Sequence, residues 1–184
     1  FSRISAFLLI SIPIFVAIFT CMWVQGLRPK DIGLSLSKLK RTPIEAGVIL
    51  IAIPFGIMEY LILNPAPLPG LGPGAANFIA ASLIFIACTG FVEELAFRGL
   101  VQYNAIKLMN KWWGILFVST IFGVLHVGNL SPWHLDCVLA FSIGFMFSVV
   151  REKTGSIYGI SISHGIINII LFLIAPTIAI TFFP

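Results

Sequence analysis

Four side chains that can transfer protons or donate hydrogen bonds stand out in a sequence with few charged residues. They are Glu93, His126, His164 and Asn168. A carboxylate and two imidazoles around a cavity can orient a water molecule and remove its proton, which is the general-base half of hydrolysis. An imidazole N–H and a carboxamide N–H can donate to the oxyanion that forms when water attacks a peptide carbonyl. These residue types are therefore suited to hydrolysis of a peptide bond.

A second set of residues lies at helical spacing from the first. Residues four apart stack on one face of a helix, so Glu94 can pair with Arg98, and Phe122 lies one turn before His126. Glu93 points about 100° away from Glu94 around the helix. We therefore expect Glu93 to face a cavity, and Glu94, Arg98 and Phe122 to support the site.

The same residues allow a metal-dependent alternative. Two histidines and one glutamate form a ligand set used for catalytic zinc, in which water takes the open position. Glu93, His126 and His164 are the candidate ligands. Zinc is therefore one candidate cofactor, and the sequence alone does not establish that the protein binds any cofactor.

The composition indicates the class of protein that must carry these groups. Hydrophobic residues make up 59% of the 184 residues and charged residues only 10%, whereas soluble domains carry about 25% charged residues. A helix needs about 20 apolar residues to cross the hydrocarbon core of a bilayer. We predict an all-α, polytopic transmembrane helical bundle with a polar cavity in the membrane, formed by one integral-membrane domain over residues 1–184. Its expected spans, about six, are residues 4–24, 44–63, 76–109, 112–127, 135–150 and 157–175.

The positive charges predict the orientation of the bundle. Nine of the eleven Lys and Arg residues fall on alternate connections between the expected spans, and basic connections face the cytoplasm. The net charge of +4 is therefore a topology signal. We expect membrane lipids, and no nucleic acid, among the partners.

Helix length predicts that the polar groups meet at one depth. Glu93 is fourteen residues from Lys107, His126 fifteen from Lys111, and His164 eleven from Lys153. At 1.5 Å per residue, these distances are about 21, 22 and 16 Å from the basic side. Three separate helices therefore bring their polar side chains to about the same level.

The order of the motifs is similar to that of a known family. The chain contains EExxxR, FxxxH and HxxxN, formed by Glu93, Glu94 and Arg98, by Phe122 and His126, and by His164 and Asn168. This pattern resembles the CPBP superfamily of intramembrane proteases, also called Abi, which includes the type II CAAX prenyl endopeptidases and bacteriocin-processing or immunity proteins. The resemblance covers residues 82–172, which we expect to be the catalytic core.

The resemblance implies a role for each residue. Glu93 would be the general base, and His126 would help to bind and activate the water. His164 and Asn168 would form the oxyanion site, while Glu94 and Arg98 would support them. The implied protein is a multi-pass endopeptidase of the cell membrane, with an active site open to the cytoplasm. Its implied substrate is a peptide or protein, and the resemblance leaves open whether that substrate is lipidated.

Two other functions remain compatible with the sequence. A binding or bacteriocin-immunity protein could keep the scaffold and perform no chemistry. A proton-coupled transporter could also use intramembrane Glu, His and Arg. The transporter is the weaker alternative, because the sequence shows neither a repeated half nor a symmetrical pair of broken helices.

Overall fold

Helices form nearly all of the protein in the computed structural model, which describes residues 3–35, 41–68 and 74–182. Within these ranges the chain folds into six consecutive helical rods and contains no strand. Their bounds are α1 Arg3–Gln25, α2 Thr42–Leu63, α3 Ala75–Leu108, α4 Lys111–Val124, α5 Trp133–Thr154 and α6, which runs from Tyr158 to Phe182. The predicted all-α fold is confirmed.

Five of the six helices are long and apolar enough to cross a membrane: α1, α2, α3, α5 and α6. Helix α4 has 14 residues and is therefore only about 21 Å long, which is less than the roughly 30 Å of a hydrocarbon core. Sequence reasoning expected about six spans. The described part of the chain has five, together with one short apolar helix that packs mainly against α5.

Two basic connections meet at the same end of the bundle. The Nη2 atom of Arg151, near the end of α5, donates to the backbone oxygen of Asp31, after α1, at 2.7 Å. The backbone nitrogen of Ile157 donates to the oxygen of Gly33 at 3.3 Å. These contacts agree with the prediction that the basic connections lie on one side of the bundle. Lys38 and Lys40, which were part of this prediction, lie outside the described residues.

Helices α3 and α6 approach closely because two glycines face each other across their contact. A Cβ atom added to Gly90 would overlap the carbonyl oxygen of Ser161 and lie 2.9 Å from the backbone nitrogen of Gly165. A Cβ atom added to Gly165 would lie 2.7 Å from the Cα atom of Ile86. This contact is close to His164 and to the glutamate pair, so it sets the distance between the two helices that carry them.

Helix α3 is wider than an α-helix on both sides of the glutamates. Residues Phe85–Phe91 and Leu95–Val101 are π-helical, and only Val92–Glu94 between them is α-helical. Helix α6 has a similar segment at Ile170–Ile174, just after Asn168. Short π-helical segments are often found at functional sites. They also shift the helix faces away from those expected for 3.6 residues per turn.

Candidate active site

The two adjacent glutamates have different environments. Glu94 is fully buried, and its Oε1 atom accepts a hydrogen bond from Nη1 of Arg98 at 2.9 Å. The side chain of Glu93 keeps 35% of its exposure and lines a cavity. The expected pairing of Glu94 with Arg98 is therefore present, and Glu93 faces a different direction.

His164 of α6 contacts both glutamates through opposite ring nitrogens. Its Nδ1 atom lies 2.8 Å from Oε1 of Glu94, and its Nε2 atom lies 3.9 Å from Oε2 of Glu93. Glu94 already accepts from Arg98, and a carboxylate is an acceptor only. The Nδ1 atom of His164 therefore donates to Glu94, which directs Nε2 towards Glu93.

His126 is held by the last turn of α4. Its Nδ1 atom lies 2.8 Å from the backbone oxygen of Phe122, and the two rings have centroids 4.9 Å apart. A carbonyl oxygen only accepts hydrogen bonds, so Nδ1 of His126 carries the proton. In the neutral ring, Nε2 then has a free lone pair. A histidine that donates its other ring N–H in this way is well oriented to hold a water molecule.

Phe122 connects the buried ion pair to both imidazoles. Its ring centroid lies 4.2 Å from Cζ of Arg98 and 5.9 Å from the ring centroid of His164. A Cβ atom at Gly144 of α5 would lie 2.6 Å from Nη2 of Arg98, so this glycine leaves room for the guanidinium. Cation–π attraction supports an arginine in such a position. Phe122 thus contacts the ion pair and both imidazoles, and its supporting role stays a prediction.

Asn168 is positioned by a residue that sequence reasoning missed. Its Nδ2 atom donates to Oγ1 of Thr89 at 3.0 Å. The Thr89 hydroxyl in turn donates to the backbone oxygen of Phe85 at 2.6 Å. Thr89 is buried and lies four residues before Glu93. That spacing was the available signal, because it places Thr89 one turn from the glutamate on the same helix.

The candidate residues line one cavity. It has a volume of about 290 Å³, and its wall includes Glu93, His126, His164 and Asn168. The structure therefore brings together the four residues that were predicted to act directly. The position of this cavity relative to a membrane stays a prediction.

The cavity wall also contains two carboxylates that the sequence interpretation did not assign to the site. Glu59 lies four residues before the end of α2 at Leu63, and Asp136 lies in the first turn of α5. Both are buried, at 8% and 1% exposure, and both line the cavity. Oδ2 of Asp136 accepts from the backbone nitrogen of Leu130 at 3.1 Å. A charged residue inside an apolar span was the signal that could have identified Glu59.

The candidate zinc ligands do not form a metal site as they stand. Among the described residues, no group of three or more His, Cys, Asp and Glu side chains is close enough to hold a metal ion. Glu93, His126 and His164 share the cavity wall, but they do not converge on one point. We therefore derive no catalytic step through a metal.

The fold and the polar cluster together define a polytopic helical membrane protein with a carboxylate–imidazole site between its helices. Residues 75–170 match the model of a family described as type II CAAX prenyl endopeptidase Rce1-like. The match covers more than half of the chain, and the protein belongs to this family. The expected relationship to the CAAX proteases is confirmed, and the family is generally one of proteases. No curated protein and no solved structure matches the chain. The division into a single domain with a catalytic core at residues 82–172 stays a prediction.

Proposed function

We propose that the protein is an intramembrane endopeptidase that hydrolyses a peptide bond with water activated by Glu93. One observation carries the proposal. Glu93 and Nε2 of His164 lie 3.9 Å apart in a cavity that also contains His126 and Asn168. This constellation provides a base, a group that can hold water and donors for an oxyanion in one place.

The first step is attack of water on the carbonyl carbon of the substrate. Nε2 of His126 accepts one hydrogen bond from the water, since Nδ1 donates to the carbonyl of Phe122. Glu93 accepts the proton that the water loses as the new C–O bond forms. A positioned general base of this kind contributes about 10²–10⁴-fold to the rate.

The oxyanion is stabilised by Asn168 and His164. The carboxamide of Asn168 has two N–H groups, and Thr89 accepts from its nitrogen, so one N–H remains for the substrate. Because Nδ1–H of His164 donates to Glu94, its Nε2 can donate only when the ring carries both protons. A ring in that form has an anionic partner at each nitrogen, Glu94 at Nδ1 and Glu93 at Nε2.

The substrate class in this proposal is a peptide or protein that reaches the cavity within the membrane. The description of the family makes a prenylated CAAX-type peptide the first candidate substrate. An unprenylated peptide of the same sequence is the necessary comparison, because family membership does not determine the substrate.

The side from which a substrate arrives has two candidate answers. The sequence predicted a site open to the cytoplasm of a cell membrane. The cavity wall, however, includes Leu68, which follows α2, and Asn129 and Leu130, which follow α4. These connections carry no Lys or Arg among their described residues and alternate with the basic ones. The wall therefore favours access from the end opposite the basic connections.

The central test is cleavage by purified protein in liposomes. We expect Glu93→Gln and His126→Ala to lower the turnover of a prenylated CAAX-type peptide or of its unprenylated counterpart by about 10²–10⁴-fold. His134→Ala is the matched control, because His134 is exposed and is not among the residues that line the cavity. Mass spectrometry of the products locates the cleaved bond.

Two outcomes would contradict the proposal. Unchanged turnover in Glu93→Gln would remove the assigned base. Absence of any cleavage by the wild-type protein, together with a binding or protective effect that persists in Glu93→Gln, would favour the non-catalytic alternative. A comparison of protein N-termini in membranes containing wild-type protein or Glu93→Gln extends the test to natural substrates.

A further inference from the structure

Glu59 is a buried carboxyl group that comes from outside the segment matched by the family. It lies in α2, whereas the match begins at residue 75. Its side chain is buried, and its Oε2 atom has no hydrogen-bond partner among the described residues. A buried polar atom without a partner is costly. Such an atom next to a cavity therefore points to a bound group.

Glu59 lines two neighbouring cavities. The larger one contains Glu93, and a smaller one of about 30 Å³ is formed by Glu59, His126, His164 and Asn168 together with apolar side chains. The smaller cavity has room for one or two water molecules. Glu93 is not among its lining residues. A water molecule in this cavity would therefore meet the carboxyl group of Glu59.

The other carboxyl groups at the site differ from Glu59 in their partners or in their access to the cavities. Glu94 accepts from Arg98 and His164 through Oε1, and it lines neither cavity. Asp136 accepts from the backbone nitrogen of Leu130. Glu93 and Glu59 are left to exchange protons with water or substrate, and they line the same large cavity.

Peptide hydrolysis needs two proton transfers, and these two carboxyl groups can divide them. We propose that Glu59 is a second catalytic residue, the acid that protonates the leaving amine. This inference rests on the proposed hydrolytic function. Water forms the new C–O bond and gives a proton to Glu93. The C–N bond then breaks while Glu59 gives its proton to the nitrogen. Cavity water returns the proton from Glu93 to Glu59, so that one water molecule is consumed for each bond.

Burial alone does not distinguish Glu59, because Glu45 on the same helix is equally buried. Glu45 is 7% exposed, and its Oε1 atom also lacks a partner in the described structure. It packs against Gly159, however, and lines neither cavity. It is fourteen residues from Glu59, which is about 21 Å along the helix. Glu45→Gln is therefore a matched control for Glu59→Gln.

The experiment uses the full chain in liposomes, with the peptide that the wild type cleaves and a thioester analogue in which sulfur replaces the scissile nitrogen. A thiolate, unlike an amine, can leave without first receiving a proton, because thiols have a pKa of about 8.5. We expect Glu59→Gln to lower kcat for the peptide by about 10²-fold or more and to retain thioester hydrolysis. Glu59→Asp should recover part of the peptide activity, and Glu45→Gln should retain it.

The pH dependence provides an independent readout. The acid must carry a proton, so the loss of wild-type kcat at high pH should contain one contribution from Glu59 and one from the doubly protonated ring of His164. Only the contribution from His164 should remain in the residual activity of Glu59→Gln. The other titratable groups that face Glu59 are Glu93, His126, Asp136 and His164, and they are unchanged in this variant. A high-pH limb that is identical in wild type and variant would overturn the assignment.

Equal losses of peptide and thioester hydrolysis in Glu59→Gln would show a structural role and overturn the assignment of Glu59 as the acid. Unchanged peptide turnover in Glu59→Gln would overturn that assignment as well. The result for Glu93→Gln separates this inference from the proposed function. If Glu93→Gln is inactive on both substrates while Glu59→Gln cleaves the peptide normally, only the role of Glu59 fails. If Glu93→Gln is fully active, the hydrolytic mechanism itself fails.

Discussion

At the scale of single residues, Glu94 connects the buried charges of the site. Its Oε1 atom accepts from Arg98 and from His164, while the side chains of Glu94 and Arg98 have no solvent exposure. Two charges that are removed from water stabilise the fold only as a pair, because either one alone is left without compensation. The orientation of the His164 ring therefore depends on an ion pair that need not touch the substrate.

Removal of one partner should be more harmful than removal of both. We expect Arg98→Met to lower the free energy of unfolding by about 3–5 kcal/mol, since it leaves the buried Glu94 without its arginine partner. The double variant Arg98→Met/Glu94→Gln should recover much of that loss because it removes both members of the ion pair. Denaturant titration in detergent measures both values. A double variant less stable than Arg98→Met alone would contradict this account of the pair.

At the scale of helices, the contact between α3 and α6 determines the distance from Glu93 and Glu94 to His164. Backbone approaches backbone at Gly90 and Gly165, and small residues permit such contacts between membrane helices. The π-helical segments on both sides of Val92–Glu94 adjust the direction of the glutamates within the same helix. The two helices that carry Glu93, His164 and Asn168 are thus so close at this contact that no side chain fits between them.

A methyl group at this contact should separate the helices. We expect Gly90→Ala to destabilise the protein by about 1–3 kcal/mol, the usual effect of overpacking, and to reduce peptide cleavage. Gly47→Ala in α2 is the matched control, because an added Cβ atom has no neighbour within 4 Å there. Alanine is the better helix former by about 1 kcal/mol, so this control should be neutral or stabilising. Thermal unfolding of both variants in detergent provides the comparison. Equal stability of the two would refute the proposed contact.

At the scale of the whole molecule, the connections divide into a basic end and an uncharged end. The contact between Arg151 and Asp31 joins two basic connections, while the cavity reaches Leu68 and Asn129 at the other end. If basic connections face the cytoplasm, the end of the cavity that is lined by Leu68 and Asn129 faces away from it. The orientation of the bundle in the membrane therefore determines the side from which substrate reaches the cavity.

Single cysteines tested with a membrane-impermeant reagent decide that question. In a background that lacks the three native cysteines, we expect Lys30→Cys and Lys153→Cys to be labelled only from the cytoplasmic side. Asn129→Cys should be labelled only from the opposite side, and substrate should protect it. Labelling of Asn129→Cys and Lys153→Cys from the same side would reject the arrangement of the helices. Labelling of all three from the sides opposite to those expected would restore a cytoplasmic opening.

Sequence spacing predicted several contacts of the candidate site because helical periodicity is local. The pairs Glu94–Arg98 and Phe122–His126 are four residues apart in the sequence and in contact in the structure. The family relationship also followed from three motifs and is confirmed. The same reasoning predicted about six spans. The described residues contain five helices of spanning length together with α4, which has only 14 residues and ends at Val124.

Only the tertiary structure placed Glu59, Thr89 and Asp136 in the cavity wall. Glu59 and Asp136 belong to α2 and α5, and no periodicity within one helix reports which other helix a side chain will meet. The π-helical segments of α3 also depend on packing, since they depart from the regular repeat that a sequence pattern assumes. The sequence by itself determined the class of protein, the family and the local pairs. The packing of α2, α3 and α5 decided which carboxyl groups share a cavity, because that depends on distances between residues far apart in the chain.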